Sequence, residues 1–179
     1  MAKRRRSFSK ASFYRCLCWQ HARLSATIPH LIANPAERKH MDAQPKDPHT
    51  VIVSLRDKAD TYTCNINAGK HQMVADEPVP LGGDDLGAAP YQYLKAALGA
   101  CTAMTIRMYA ERKKWPVENV IVTLRHSRDA HKQSAFERDI HIEGDLTADQ
   151  RERLLDIADR CPVHKTLSNG ATILSKLID

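Results

Sequence analysis

The chain has 179 residues, 42% apolar and 27% charged, a length and composition that suit one folded domain with a continuous core. No window approaches the roughly 18 uncharged apolar residues that a membrane helix needs, so no membrane partner is expected. The net charge of +6 is unevenly placed: residues 1–40 carry nine Lys or Arg against the single acid Glu37, a net +8, whereas the remainder carries 18 basic and 20 acidic residues, a net −2. A slightly acidic body excludes a folded surface built to track phosphates, so no nucleic-acid partner is expected of it either.

Residues 1–45 read as a basic N-terminal extension to a domain over 46–179. Its Arg and Ser content, with no acid before Glu37, is that of an organelle transit peptide or a flexible tail. Met41, which opens the polar lead-in MDAQPKDPHT, is an alternative start. Cys16 and Cys18 are too close together and too short of partners for a zinc site. With Cys64, Cys101 and Cys161 they make five cysteines, an odd and scattered set that is not a disulfide framework, so the thiols are expected reduced in the cytoplasm.

Alternating β-branched residues predict a strand over Thr50 to Leu55 and a second over Thr61 to Gly69. A short third strand, His71 to Val74, completes an antiparallel meander in which Cys64 serves as a small apolar residue. Ala75 to Pro90 holds three prolines and three glycines and reads as a long shaped loop. Pro90 opens a helix, because its missing N–H costs nothing in a first turn. Leu94, Ala97, Leu98, Cys101, Met104, Thr105 and Met108 mark its apolar face, and Pro116 ends it.

Two further strands are predicted over Asn119 to His126 and Arg138 to Glu143. A second helix starts at the capping box Thr147 to Gln150, with Leu154, Leu155, Ala158 and Cys161 on its inward side. Pro162 interrupts it, a short helical turn follows, and Ala171 to Leu177 is the last strand. The order β-β-β-α-β-β-α-β is an α+β arrangement, a sheet wrapped around a long apolar helix. One chain of this size rarely surrounds such a helix, so a homodimer is expected.

Cys101 on an apolar helix face suits packing, since burial alone raises a thiol's pKa and makes it inert. Cys161 precedes a helix-breaking proline, with His164 and Lys165 close behind, which suits chemistry as well as a plain helix stop. A zinc site built on Cys161 and His164 lacks a second pair of ligands, so no metal is expected.

The stretches GGDDLGAAPYQYLKAALGACTAMTIRMYAERKKWP, Gly82 to Pro116, and RCPVHKTLSNG, Arg160 to Gly170, resemble the two cysteine motifs of the OsmC/Ohr family, osmotically inducible protein C and organic hydroperoxide resistance protein, in its general OsmC-like branch. The resemblance implies an intertwined homodimer with active sites at the subunit interface, reducing organic hydroperoxides in stress defence with no cofactor. Cys101 would then be the peroxidatic thiol and Cys161 the resolving one, with a dithiol reductant as partner. Leu98, Met104 and Met108 would line a lipophilic pocket. The family's supporting Arg matches Arg56 best, and its Glu falls at Tyr91, with Asp84 and Asp85 as nearby carboxylates. A dimeric module that binds a small hydrophobic ligand and uses its cysteines as redox sensors is the rival reading. A Cys101 and His164 hydrolase is a weaker one.

Overall fold

The computed structural model describes residues 45, 47, 49–55, 62–131 and 133–178. Most of the expected N-terminal extension, including Met41, Cys16 and Cys18, therefore lies outside the described residues, as does Arg56.

Three short strands, β1 (Val51–Leu55), β2 (Cys64–Ala68) and β3 (His71–Ala75), form an antiparallel meander in the order β1-β2-β3. The period-two alternation of the sequence sets its two faces. Val53 pairs with Ile66, which pairs with Met73. Leu55 pairs with Cys64, which pairs with Ala75. That face is apolar, yet Val51, Val53, Leu55 and Met73 are exposed, because nothing among the described residues covers them.

The loop to the first helix contains a single 3₁₀ turn, Val79–Leu81, and is tied down by one carboxylate. Asp76 is buried and accepts hydrogen bonds from the hydroxyl of Thr63 at 3.2 Å and from the N–H groups of Glu77 at 2.8 Å, Asp84 at 3.2 Å and Leu86 at 3.2 Å. The wrap is tight enough to require glycine at two points. A Cβ on Gly83 would lie 1.9 Å from the Glu77 carbonyl oxygen, and one on Gly87 would lie 2.1 Å from that of Val74.

Helix α1 runs from Pro90 to Lys113. Pro90 is its first helical residue, and the Gln92 side chain accepts the Ala89 N–H at 2.7 Å. It ends on Lys114, whose left-handed φ of 57° lets Trp115 donate to the Ala110 carbonyl at 2.9 Å. The residues α1 buries are Leu98, Gly99, Thr102, Ile106 and Ala110. The expected face is corrected accordingly: Leu98 is on it, but Met104 and Met108 are 64% and 62% exposed. Small or apolar residues stand around the whole circumference of α1, so spacing alone selects no single face.

A long hairpin follows, β4 (Asn119–Arg128) paired with β5 (Ser134–Glu143). Its inner face carries Val120, Val122, Leu124 and His126 opposite Ile142, Ile140, Arg138 and Phe136. Helix α2 (Ala148–Ala158) starts at the predicted box, the Gln150 N–H donating to the Thr147 hydroxyl at 3.2 Å and the Thr147 N–H to the Gln150 side chain at 2.9 Å. Leu154, Ile157 and Ala158 face inward, whereas Leu155, expected inward, is exposed. The core lies where α1, the hairpin and α2 meet, built on Ile106, Ala110, Val117, Ile142, Leu154 and Ala158.

Helix α3 (Pro162–Asn169) closes the ordered body. The strand expected over Ala171 to Leu177 is not formed: residues 171–178 have no regular structure, and Ile173, Leu174, Leu177 and Ile178 are between 76% and 95% exposed. A β-prone run makes a strand only by pairing, and this one has no ladder partner among the described residues. The architecture is α+β with antiparallel sheets, as the sequence pattern predicts, short of that last strand.

Two outcomes are expected. Ile106→Ala, at a fully buried site in the core, lowers unfolding stability by about 2–5 kcal/mol in denaturant titration. Burial acts to raise the pKa of Asp76, but its three backbone N–H bonds and the Thr63 hydroxyl outweigh that and hold it below its ordinary value. A group depressed on folding stabilises the fold above the ordinary carboxyl pKa of about 4 and loses that contribution as pH falls through its lower folded value. Melting temperature should therefore drop with acid in the native chain, and Asp76→Asn, less stable at neutral pH, should show a shallower acid dependence.

Candidate functional site

The two cysteines singled out by their motifs are brought together where α1 crosses α3. Cys101 sits midway along α1 and is half-buried; Cys161 is the residue on which α3 begins and is 0% exposed. Both are free thiols. Cys64, the other thiol in the described body, is held in β2, its S–H directed at the Tyr62 carbonyl at 3.7 Å.

The pair is electrostatically unequal. Burial raises the pKa of Cys101, and its neighbour Cys161 raises it further by hydrogen bonding and charge. The Val163 N–H and the Thr105 hydroxyl act the other way without prevailing. Burial also acts to raise Cys161, but there a hydrogen bond from Cys101, the N–H groups of His164 and Val163 and the Thr102 hydroxyl prevail, and its pKa falls below that of an ordinary thiol. The cause is partly the start of α3. Pro162 has no N–H, so the first free donors of the helix are Val163 and His164, and they face the Cys161 sulfur without closing a short cap bond.

One cationic side chain reaches this corner from inside the chain. Arg138 comes from β5 with its side chain 11% exposed. Its Nη1 donates to the Thr102 hydroxyl at 2.9 Å and to the Ala158 carbonyl at 3.3 Å, and its Nη2 pairs with Asp159 at 2.7 Å. Thr102 Oγ1 also donates to the Leu98 carbonyl at 2.7 Å. Arg138 was not singled out in the sequence, though a signal exists. In Phe136, Arg138, Ile140 and Ile142 it occupies one place on the apolar face of a strand, where a charge needs a reason.

The other candidate residues are dispersed. His164 lies with Nδ1 3.8 Å from Asp159 and makes no hydrogen bond to Cys101. Asp84 and Asp85 are exposed in the loop that Asp76 holds, Asp85 with a φ of 56°. Tyr91, in the first turn of α1, stacks on His126 with ring centroids 4.5 Å apart and accepts a hydrogen bond from Arg128 Nη2 at 2.7 Å. His126 in turn packs on Phe136, its Nε2 buried without a partner. Leu98, Met104 and Met108 do not enclose a pocket in the single chain. A groove of about 400 Å³ lies instead between Gln92, Ala96, Gly99 and Ala103 of α1 and Val122 and Leu124 of β4. Among the described residues, no group of three or more His, Cys, Asp or Glu is placed to hold a metal ion, and no helix is long and apolar enough to cross a membrane.

No curated protein matches the sequence significantly. Solved structures do. The chain is similar to the OsmC-like protein of Mycoplasma pneumoniae, with 17% identity over 69% of this chain and 89% of that one and a TM-score of 0.58. It is similar to a hypothetical protein of Aquifex aeolicus, with 16% identity over 67% and 86% and a TM-score of 0.54. It is also similar to an organic hydroperoxide resistance protein of Elizabethkingia anophelis, with 20% identity over 70% and 93% and a TM-score of 0.50. At such identities the likeness is one of fold. The sequence model described as OsmC-like protein matches residues 82–176, more than half of the chain and both cysteine motifs, and the chain therefore belongs to the OsmC-like protein family.

Proposed function

We propose that this chain is a thiol peroxidase that reduces organic hydroperoxides, and more slowly hydrogen peroxide, through a cycle between Cys101 and Cys161. The observation that carries the reading is the convergence of the two sulfurs, one half-buried and one fully buried, at the crossing of α1 and α3. The name of the Elizabethkingia anophelis protein, organic hydroperoxide resistance, is consistent with the substrate class.

Accessibility divides the roles. Cys101 is the sulfur a peroxide can meet, so it attacks the terminal peroxide oxygen: an S–O bond forms, the O–O bond breaks, and the alcohol departs, leaving Cys101 as sulfenic acid. Cys161 then displaces that oxygen as water and forms the disulfide, which a dithiol reductant of the cytoplasm reopens. Residues 46–179 suffice for this chemistry.

The working unit is a homodimer. Val51, Val53, Leu55 and Met73 on one sheet face, Met104 and Met108 on α1, and the unpaired segment 171–178 leave apolar surface that nothing among the described residues covers. A second copy would supply both a cover for the sheet and a ladder partner for the C-terminal run. In that setting Met104 and Met108 would help to form an alkyl pocket that the single chain lacks. Arg56, Asp84, Asp85 and Tyr91 are secondary candidates for supporting the thiol pair, carried by the resemblance alone.

Purified protein supplied with dithiothreitol is expected to consume tert-butyl hydroperoxide catalytically. Cys101→Ser should abolish turnover, and Cys161→Ser should stop it after a single equivalent. No consumption by the native chain would refute the reading and favour a ligand-binding module. Light scattering on a size-exclusion column should return twice the chain mass, and truncation after Gly170 should reduce it to one or cause aggregation.

A further inference from the structure

The loop that Asp76 ties down has a surface that neither the core nor the thiol pair uses. Val79, Leu81 and Leu86 are each more than half exposed on it. Tyr62, also exposed, borders them, since a Cβ on Gly82 would lie 3.3 Å from its Cε2. Glu77, Asp84 and Asp85 alternate with these apolar residues and form no ion pair with any described residue. From His71 to Leu94 the sequence holds four acids and no Lys or Arg.

The backbone fixes this surface in place. Asp76 takes the N–H groups of Glu77, Asp84 and Leu86, the Asp85 N–H reaches the Glu77 carbonyl at 3.2 Å, and Gly83 and Gly87 leave no room for adjustment. An occupant therefore meets the loop without the cost of ordering it.

We infer that this surface is the docking site of the chain's own basic stretch Arg4 to Arg23, RRRSFSKASFYRCLCWQHAR, which lies outside the described residues. Charge and apolar content both match. The stretch carries six Lys or Arg and no acid, and it holds two of the chain's three Phe and one of its two Trp. Its rings, Phe8, Phe13, Tyr14 and Trp19, are interleaved with its cations, as the apolar side chains of the loop are with its carboxylates. Packing the rings on Leu81 and Leu86 while arginines pair with Asp84 and Asp85 covers the one surface and neutralises the other. The exposed face of the β1-β2-β3 sheet is a poorer match, because none of its three strands carries a carboxylate.

Reach is not limiting. Residues 24–44 connect the stretch to the domain, and 21 residues extend to about 70 Å. A domain of this size is roughly 35 Å across. Docking is then intramolecular, so contacts too weak to hold two free molecules together are sufficient. The inference stands independently of the peroxidase reading.

Trp19 reports on it. In full-length Trp115→Phe it is the remaining tryptophan, and docking predicts blue-shifted emission with protection from acrylamide quenching. Leu81→Ser with Leu86→Ser should abolish that protection. Asp84→Asn with Asp85→Asn should weaken it, as should about 0.5 M salt, which screens charges beyond roughly 4 Å. In the native chain, which needs no change at Trp115, zero-length carbodiimide cross-linking should join Lys3 or Lys10 to Glu77, Asp84 or Asp85. Three results would each overturn the inference: Trp19 quenched as freely as N-acetyltryptophanamide, protection unchanged in folded Leu81→Ser with Leu86→Ser, or cross-links from Lys3 and Lys10 that run to other carboxylates or, in isotope-mixed protein, to a second copy.

Discussion

Two sulfurs placed within interaction range in a partly buried corner cannot both carry a negative charge, and the fold decides which one does. Like-charge repulsion makes the reduced pair a single-anion system, in which whatever favours the thiolate at one sulfur disfavours it at the other. Here burial acts to raise both thiols, and the N–H groups at the α3 start act to lower Cys161, so the two members of the pair are not equivalent. The position of α3 against α1 depends in turn on the core beneath, where Ile106, Leu154 and Ala158 fix the two longer helices against the hairpin.

The same arrangement gives the two sulfurs unequal access. A thiolate that is both exposed and stabilised is open to every oxidant and electrophile in the cell. With Cys161 buried and Cys101 half-buried, attack in the proposed cycle is conditional on a substrate that reaches the pair. The exposed apolar sheet face and the unpaired C-terminal run bear on this, because nothing among the described residues covers or pairs with them. In the proposed homodimer the remaining wall of the site comes with the second copy.

Much of this was legible in the residues. Period-two alternation gave β1 to β5 to within a few residues, and Pro90, Pro116 and the Thr147 box bounded the helices because each acts through local backbone chemistry. What spacing could not supply was a choice of face on α1. Its Ala, Gly and Thr residues are small enough to be buried on any side, so Met104 and Met108 drew a stripe that the chain does not bury. Residues 171–178 have strand composition, yet composition does not name the chain that pairs with them. The cysteine motifs carried over by resemblance, and the two sulfurs do meet. Arg138 was overlooked because a strand that starts or ends on an arginine looks ordinary. Only the register, which sets it opposite Leu124 on the inner face, shows that β5 continues past it to Ser134 and turns the charge inward.

The central claim is that Cys101 and Cys161 are partners in one redox step. Peptide mapping under non-reducing conditions, after one equivalent of tert-butyl hydroperoxide, tests it most directly. The account predicts a single new disulfide joining the peptides of Cys101 and Cys161, with Cys64 recovered as a free thiol. Both cysteines recovered free, or Cys101 recovered as an unresolved sulfenic or sulfinic acid with Cys161 untouched, would contradict it.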